Sequence, residues 1–190
     1  MATFLLGLVL FIGLHSLSIV APGARDRLAA RLGEGPWKGL YSLLSLAGLV
    51  LLIVGYSMAR QETTVLYSPP QALRYAAIAL MVPVFPMVLA TFLPGRISQT
   101  LKHPLLVATK TWALAHLLAN GTLVDVLLFG ALLAWAVAVR ISLKRRPERA
   151  LPKASPGRYN DAIALVVGLA LYGAFLGGLH LKLIGVSPLS

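Results

Sequence analysis

Four histidines, His15, His103, His116 and His180, lie within or at the ends of long apolar runs. An ionisable side chain inside such a run is costly and marks a functional position by default. Neutral imidazole is a ligand for haem iron, zinc or copper. Zinc sites usually add carboxylate or thiolate. Here the six acids (Asp26, Glu34, Glu62, Asp125, Glu148 and Asp161) fall in loops or near span ends, and there is no cysteine. Haem b asks for less: one or two axial imidazoles, an apolar slot, and cations for its propionates. Arg25, Arg27 and Arg31 follow the first apolar run, and guanidinium groups hold carboxylates in bidentate fashion.

His15 and His116 sit well inside their runs and form the leading ligand pair. Trp112 and Asn120 lie one turn either side of His116, so the three share a helix face. His103 opens the same run, where it caps the helix or sits near a propionate, and pairs with His15 as a rival. His180 ends the last run and is the rival partner of His116. Gly173 and Gly177 precede it on its own face, leaving room for a close helix neighbour or a flat cofactor. Lys110 finds no role beyond snorkelling or pairing with a carboxylate.

The elements that must position these residues are membrane helices. The chain of 190 residues is 58% hydrophobic and 12% charged, where a soluble domain is about 25% charged. Single-domain length and apolar runs predict an all-α integral membrane bundle over 1–190, with about six transmembrane helices near 3–20, 36–58, 71–92, 103–119, 123–143 and 159–184. No Lys or Arg precedes Arg25, so the first run reads as a retained helix and not a cleaved signal. "ARDRLAARLGEG" suits an amphipathic interfacial helix. Pro83 and Pro86 predict a kink in the third run. "LPGRISQTLK" reads as a loop, "NGT" as a tight turn, and "KRRPERALPKASPGR" as a basic, disorder-leaning loop. Trp37, Tyr41 and Tyr67 look like interfacial belt residues, and "YND" at 159–161 reads as a helix N-cap.

The net charge of +11 gathers in the loops after the first, third and fifth runs. That is topogenic charge, not a nucleic-acid footprint. It places those loops in the cytoplasm and both termini on the opposite side of the membrane. The lipid bilayer is the one partner composition demands.

"LHS" in the first run, "RLGEGPWKGLYSLLSLAGL" opening the second, "LKHPLLVATKTWALAHLLANG" and "YNDAIAL" with a late "LH" together resemble the NnrU family of bacterial membrane proteins over essentially the whole chain. NnrU proteins are named for association with nitrite and nitric oxide reduction genes. The family is related to 15-cis-zeta-carotene isomerase, an integral membrane haem b enzyme whose isomerisation needs reduced haem. The resemblance implies His15 and His116 as axial ligands, with Trp112 packing beside the porphyrin. It implies action on a hydrophobic polyene or in nitrogen-oxide metabolism, with a redox partner; a non-enzymatic accessory role in denitrification is the alternative. The isomerase has cysteine where this chain has Ala113, so ligand exchange through a thiolate is not carried over. "KHPLL" also loosely resembles isoprenylcysteine-type methyltransferases, but the acidic part of that cofactor site is missing.

Overall fold

A computed structural model describes residues 1–145 and 151–189. Helices α1 (Ala2–Val20), α2 (Pro22–Leu32), α3 (Glu34–Ala59), α4 (Gln71–Met81), α5 (Val84–Phe92), α6 (Arg96–Leu101), α7 (Pro104–Ala119), α8 (Leu123–Ser142), α9 (Asn160–Ala174) and α10 (His180–Ile184) account for the fold. Among the described residues there is no strand, only an isolated antiparallel bridge between Val65 and Thr122. Five helical segments are long and apolar enough to cross a membrane: Ala2–Val20, Glu34–Glu62, Gln71–Phe92, Leu123–Ser142 and Asn160–Ile184. The remaining expected span is α7, with 16 residues. At ~1.5 Å per residue it rises about 24 Å, short of a ~30 Å hydrocarbon core. Of the basic segment read as disorder-leaning, residues 146–150 lie outside the described residues.

The chain divides into two compact units, Met1–Ser68 with Gly121–Arg145, and Pro69–Asn120 with Arg146–Ser190. The first holds α1, α2, α3 and α8. Here α1 and α3 run antiparallel on a glycine register. A Cβ at Gly7 would overlap the backbone of Leu52, one at Gly55 would overlap Phe4, and one at Gly48 would come 3.0 Å from the Phe11 nitrogen. Small residues let the two backbones close up, which is how apolar helices gain packing without a hydrophobic driving force between them. Phe4, Leu8, Leu52, Ala59 and Val124 fill the core beside this line. Gly33, at φ 84°, separates α2 from α3 and lets α3 begin at Glu34, two residues before the expected Pro36.

At the other end of this unit Asp125 is buried at 4% exposure. Thr122 and Asp125 form a capping box at the start of α8, with the Thr122 hydroxyl donating at 2.6 Å. The Tyr56 hydroxyl donates to the other carboxylate oxygen, also at 2.6 Å. Both carboxylate oxygens of the buried acid are thereby engaged, as burial requires. The "NGT" turn is tied to the 63–67 loop, Leu66 N–H donating to Gly121 O at 2.8 Å and Leu123 N–H to Thr64 O at 2.8 Å.

The second unit holds α4, α5, α6, α7, α9 and α10. The proline kink falls between α4 and α5. Pro83 has no N–H, and Val82 N–H bonds Ala79 O at 3.2 Å instead of continuing the α-pattern. This frees the Ile78 carbonyl, and the Tyr172 hydroxyl from α9 donates to it at 2.8 Å. A neighbouring helix thus satisfies a carbonyl exposed by the break, the condition for a kink inside an apolar span. Gly168 lets α9 lie against Pro86 at the start of α5. A second irregularity follows α9: a π-helical turn over Phe175–Leu179, with Gly178 at φ 132°.

The segment read as a loop after α5 contains α6. "YND" is also more than an N-cap. Tyr159 takes the N-cap position of α9 without a side-chain cap bond. Asp161 reaches across to accept from Arg96 N–H at 2.7 Å and Ile97 N–H at 3.1 Å. Asn160 donates to Pro94 O at 2.8 Å and Ser155 O at 3.1 Å. Those side chains cap the neighbouring turn, which sequence-local reasoning about caps does not see.

Candidate functional site

In the first unit the site builds outward from His15 in α1. Its Nδ1 lies 2.7 Å from Phe11 O, one turn back. A carbonyl only accepts, so Nδ1 carries the proton and Nε2 carries the lone pair. The Phe11 ring packs on the imidazole at 4.3 Å between centroids. Tyr41 of α3 and Trp135 of α8 stand edge-on to it at 5.8 and 6.0 Å. Tyr41 leads to Trp37 at 6.0 Å, and the Arg25 guanidinium of α2 lies 5.7 Å from the Trp37 ring. Trp37 is 7% exposed, so it is a buried link under α2, not the lipid-facing belt residue expected. The buried Trp135 Nε1 has no hydrogen-bond partner among the described residues.

Of the three arginines expected to hold carboxylates, only Arg25 turns inward. It is half-buried and also pairs with Asp26 at 3.2 Å. Arg27 and Arg31 are exposed on the same helix.

In the second unit His116 repeats the arrangement of His15. Its Nδ1 lies 2.8 Å from Trp112 O, again one turn back, and the Trp112 ring packs on it at 4.8 Å. Asn120 closes the helix from below, its Nδ2 donating to His116 O at 2.9 Å. His180 is brought to the same place, its ring centroid 6.5 Å from that of His116 with the planes 30° apart. His180 Nδ1 lies 2.6 Å from Val186 O, so its Nε2 also bears the lone pair. Phe175 stands edge-on to His180 at 6.5 Å across the π turn.

His103 occupies the N-cap position of α7, before Pro104, but makes no side-chain cap bond. The expected capping role for its imidazole is therefore not the one observed. Lys110 is half-buried in α7 and makes no ion pair among the described residues. A Cβ at Gly173 or Gly177 would meet nothing within 4 Å among the described residues. Among the described residues no three His, Cys, Asp or Glu side chains cluster as a metal site. The imidazoles act singly or as the His116–His180 pair.

Trp135, Tyr41 and Phe11 were missed as neighbours of His15. Phe11 was legible as the aromatic residue one turn before a histidine, as Trp112 was before His116. Trp135 arrives from a helix far along the chain and left no local signal.

Imidazoles set among apolar helices of spanning length define an all-helical protein of the membrane class. The family described as NnrU protein matches residues 3–188, nearly the whole chain, and this chain belongs to it. No curated protein and no solved structure matches it.

Proposed function

We propose that this chain is a multi-pass inner-membrane protein that binds haem b through histidine Nε2 atoms, with His15 and His116 as ligands. One observation carries the reading. Both histidines follow an aromatic residue by four, donate Nδ1–H to that residue's carbonyl, and pack on its ring. An imidazole held through one nitrogen by a backbone carbonyl has its tautomer and ring orientation set for ligation by the other. The residues also suit the cofactor's periphery. The half-buried Arg25 supports a propionate contact in this reading, as does the buried Trp135 Nε1, a donor with no partner among the described residues.

When bound, haem supplies an iron centre for one-electron exchange and for axial ligand binding. The chain's own residues do the rest. Phe11 and Trp112 fix the ring planes of His15 and His116, and the apolar helix surfaces around them exclude water. The family resemblance supports a hydrophobic polyene or nitric oxide as the molecule acted on, served by a redox partner. Basic segments around Arg25, Arg96 and Arg158 face the cytoplasm in this reading, with both termini opposite.

The test is the optical spectrum of detergent-purified protein, oxidised and then dithionite-reduced, for wild type, His15→Ala, His116→Ala and His180→Ala. A Soret band with sharp reduced α and β bands, lost in the first two variants and kept in the third, is the expected result. Loss in His116→Ala and His180→Ala with retention in His15→Ala moves the ligand pair to His116 and His180. A wild type that stays colourless after haem is supplied overturns the proposal.

A further inference from the structure

A cleft in the second unit, lined by none of the histidines, has a different chemistry. It opens between the turn leading into α6 and the start of α9, with a volume of about 820 Å³. Its walls include Arg96, Gln99, Gly157, Arg158, Ala162 and Leu165. We propose that it is a headgroup site for an anionic phospholipid.

The cleft is a built feature. Its two walls are stitched by the Asp161 carboxylate on Arg96 N–H and Ile97 N–H and by Asn160 Nδ2 on Pro94 O. Ala154 N–H adds a bond to Phe92 O at 2.8 Å. A side chain at Gly95 would collide with the Asp161 carboxylate, so the turn is fitted to that contact. The one acid in the lining is thereby engaged by backbone donors of the α6 turn.

The cations remain available. Arg96 and Arg158 are both exposed, and neither makes an ion pair among the described residues. The Arg158 guanidinium lies over the Tyr159 ring at 4.5 Å, which steadies its plane. Two guanidinium groups beside a polar amide match the geometry of a phosphodiester.

Position and shape then select a lipid over a free anion. The cleft lies just after the Gln71–Phe92 segment and at the start of Asn160–Ile184, the level at which an apolar span meets headgroups. Leu165, 45% exposed, and the exposed Ala162 continue the cleft along the apolar side of α9. A phosphate ester bearing acyl chains uses both surfaces, whereas inorganic phosphate uses only the arginines. Basic pockets beside membrane helices recognise anionic headgroups by this combination.

The experiment uses the full chain in detergent and reads bound lipid by native mass spectrometry after equal exposure to phosphatidylglycerol and phosphatidylcholine. The variants are Arg96→Gln/Arg158→Gln and, as an equal charge loss elsewhere, Lys144→Gln/Arg145→Gln. Circular dichroism checks that each variant is folded. Wild type is expected to retain phosphatidylglycerol preferentially. The cleft double variant is expected to lose about thirtyfold of that preference, roughly fivefold per arginine, and the control variant to keep it. Equal retention of the two lipids by wild type overturns the proposal, as does an equal loss in both double variants. Displacement of phosphatidylglycerol by inorganic phosphate at comparable concentration would reassign the cleft to free anions. None of these readouts depends on haem, so the two proposals stand or fall separately.

Discussion

The surroundings of His15 and of the His116–His180 pair hold their imidazoles in differently built helices. Around His15 the helices are continuous, and α1 and α3 close on a glycine register that leaves little freedom. Around His116 and His180 the helices are interrupted, by Pro83 between α4 and α5 and by a π turn before α10. His15 and His116 bond carbonyls within their own helices, so the helix alone orients them. His180 depends on Val186, beyond the end of its helix. The lesson is that a continuous helix suffices to orient His15 and His116, while His180, beyond a π turn, relies on a carbonyl past its helix end. π turns and unusual φ values concentrate where function needs a departure from regular structure.

The contrast can be broken most severely at the glycine register. Gly7→Leu places a side chain into the Leu52 backbone, beyond the roughly 1–3 kcal/mol of ordinary overpacking. Loss of folded protein, read by helicity and retention of monodisperse protein in detergent, is the expected outcome. Gly173→Leu in α9, where a Cβ meets nothing within 4 Å among the described residues, is expected to leave the same readouts unchanged. If the two variants behaved alike, packing would not be what distinguishes the register.

A smaller effect is expected at the buried acid. Asp125→Ala removes the α8 capping box and leaves the Tyr56 hydroxyl without its acceptor. The expected destabilisation is about 3 kcal/mol, from a lost cap and a buried donor left unpaired. Equilibrium unfolding in mixed detergent measures it, and Asp125→Asn, which keeps an acceptor oxygen, should recover part of it.

The smallest expected effect sharpens the account of the second unit. Tyr172→Phe deletes the hydroxyl that serves the Ile78 carbonyl, at an expected cost of about 1 kcal/mol. Amide hydrogen exchange around the kink should rise more than exchange in α7. A uniform rise would mean that the bond supports the unit generally and not the break.

Much of this was legible in the sequence because hydropathy and proline act locally. The span positions, the short α7, the amphipathic α2 and the break at Pro83 follow from apolar run length, charge spacing and a missing N–H. The histidines stood out because charge in an apolar run is conspicuous. What stayed hidden is tertiary. Trp135 beside His15 joins residues far apart in sequence, whereas His180 beside His116 was open as a rival pairing because both histidines fall at the same end of their runs. Asp161 looked like the cap of its own helix and serves another, because a carboxylate satisfies whichever orphan N–H groups the fold presents. α6 was hidden because six residues carry too little periodicity to be seen.

The division of the chain has a consequence for its birth at the ribosome. Each unit is made of two separated stretches, and the stretches alternate along the chain. The glycine register of α1 and α3 is available once the first 59 residues have emerged, yet Tyr56 waits for its carboxylate until α8 follows the whole of α4 to α7. The Ile78 carbonyl and the amides of Arg96 and Ile97 wait longer still, for α9. A nascent chain halted before residue 160 therefore carries a complete first unit and a second with its kink and its α6 turn uncapped, which makes that interval the one in which the growing protein most needs shelter.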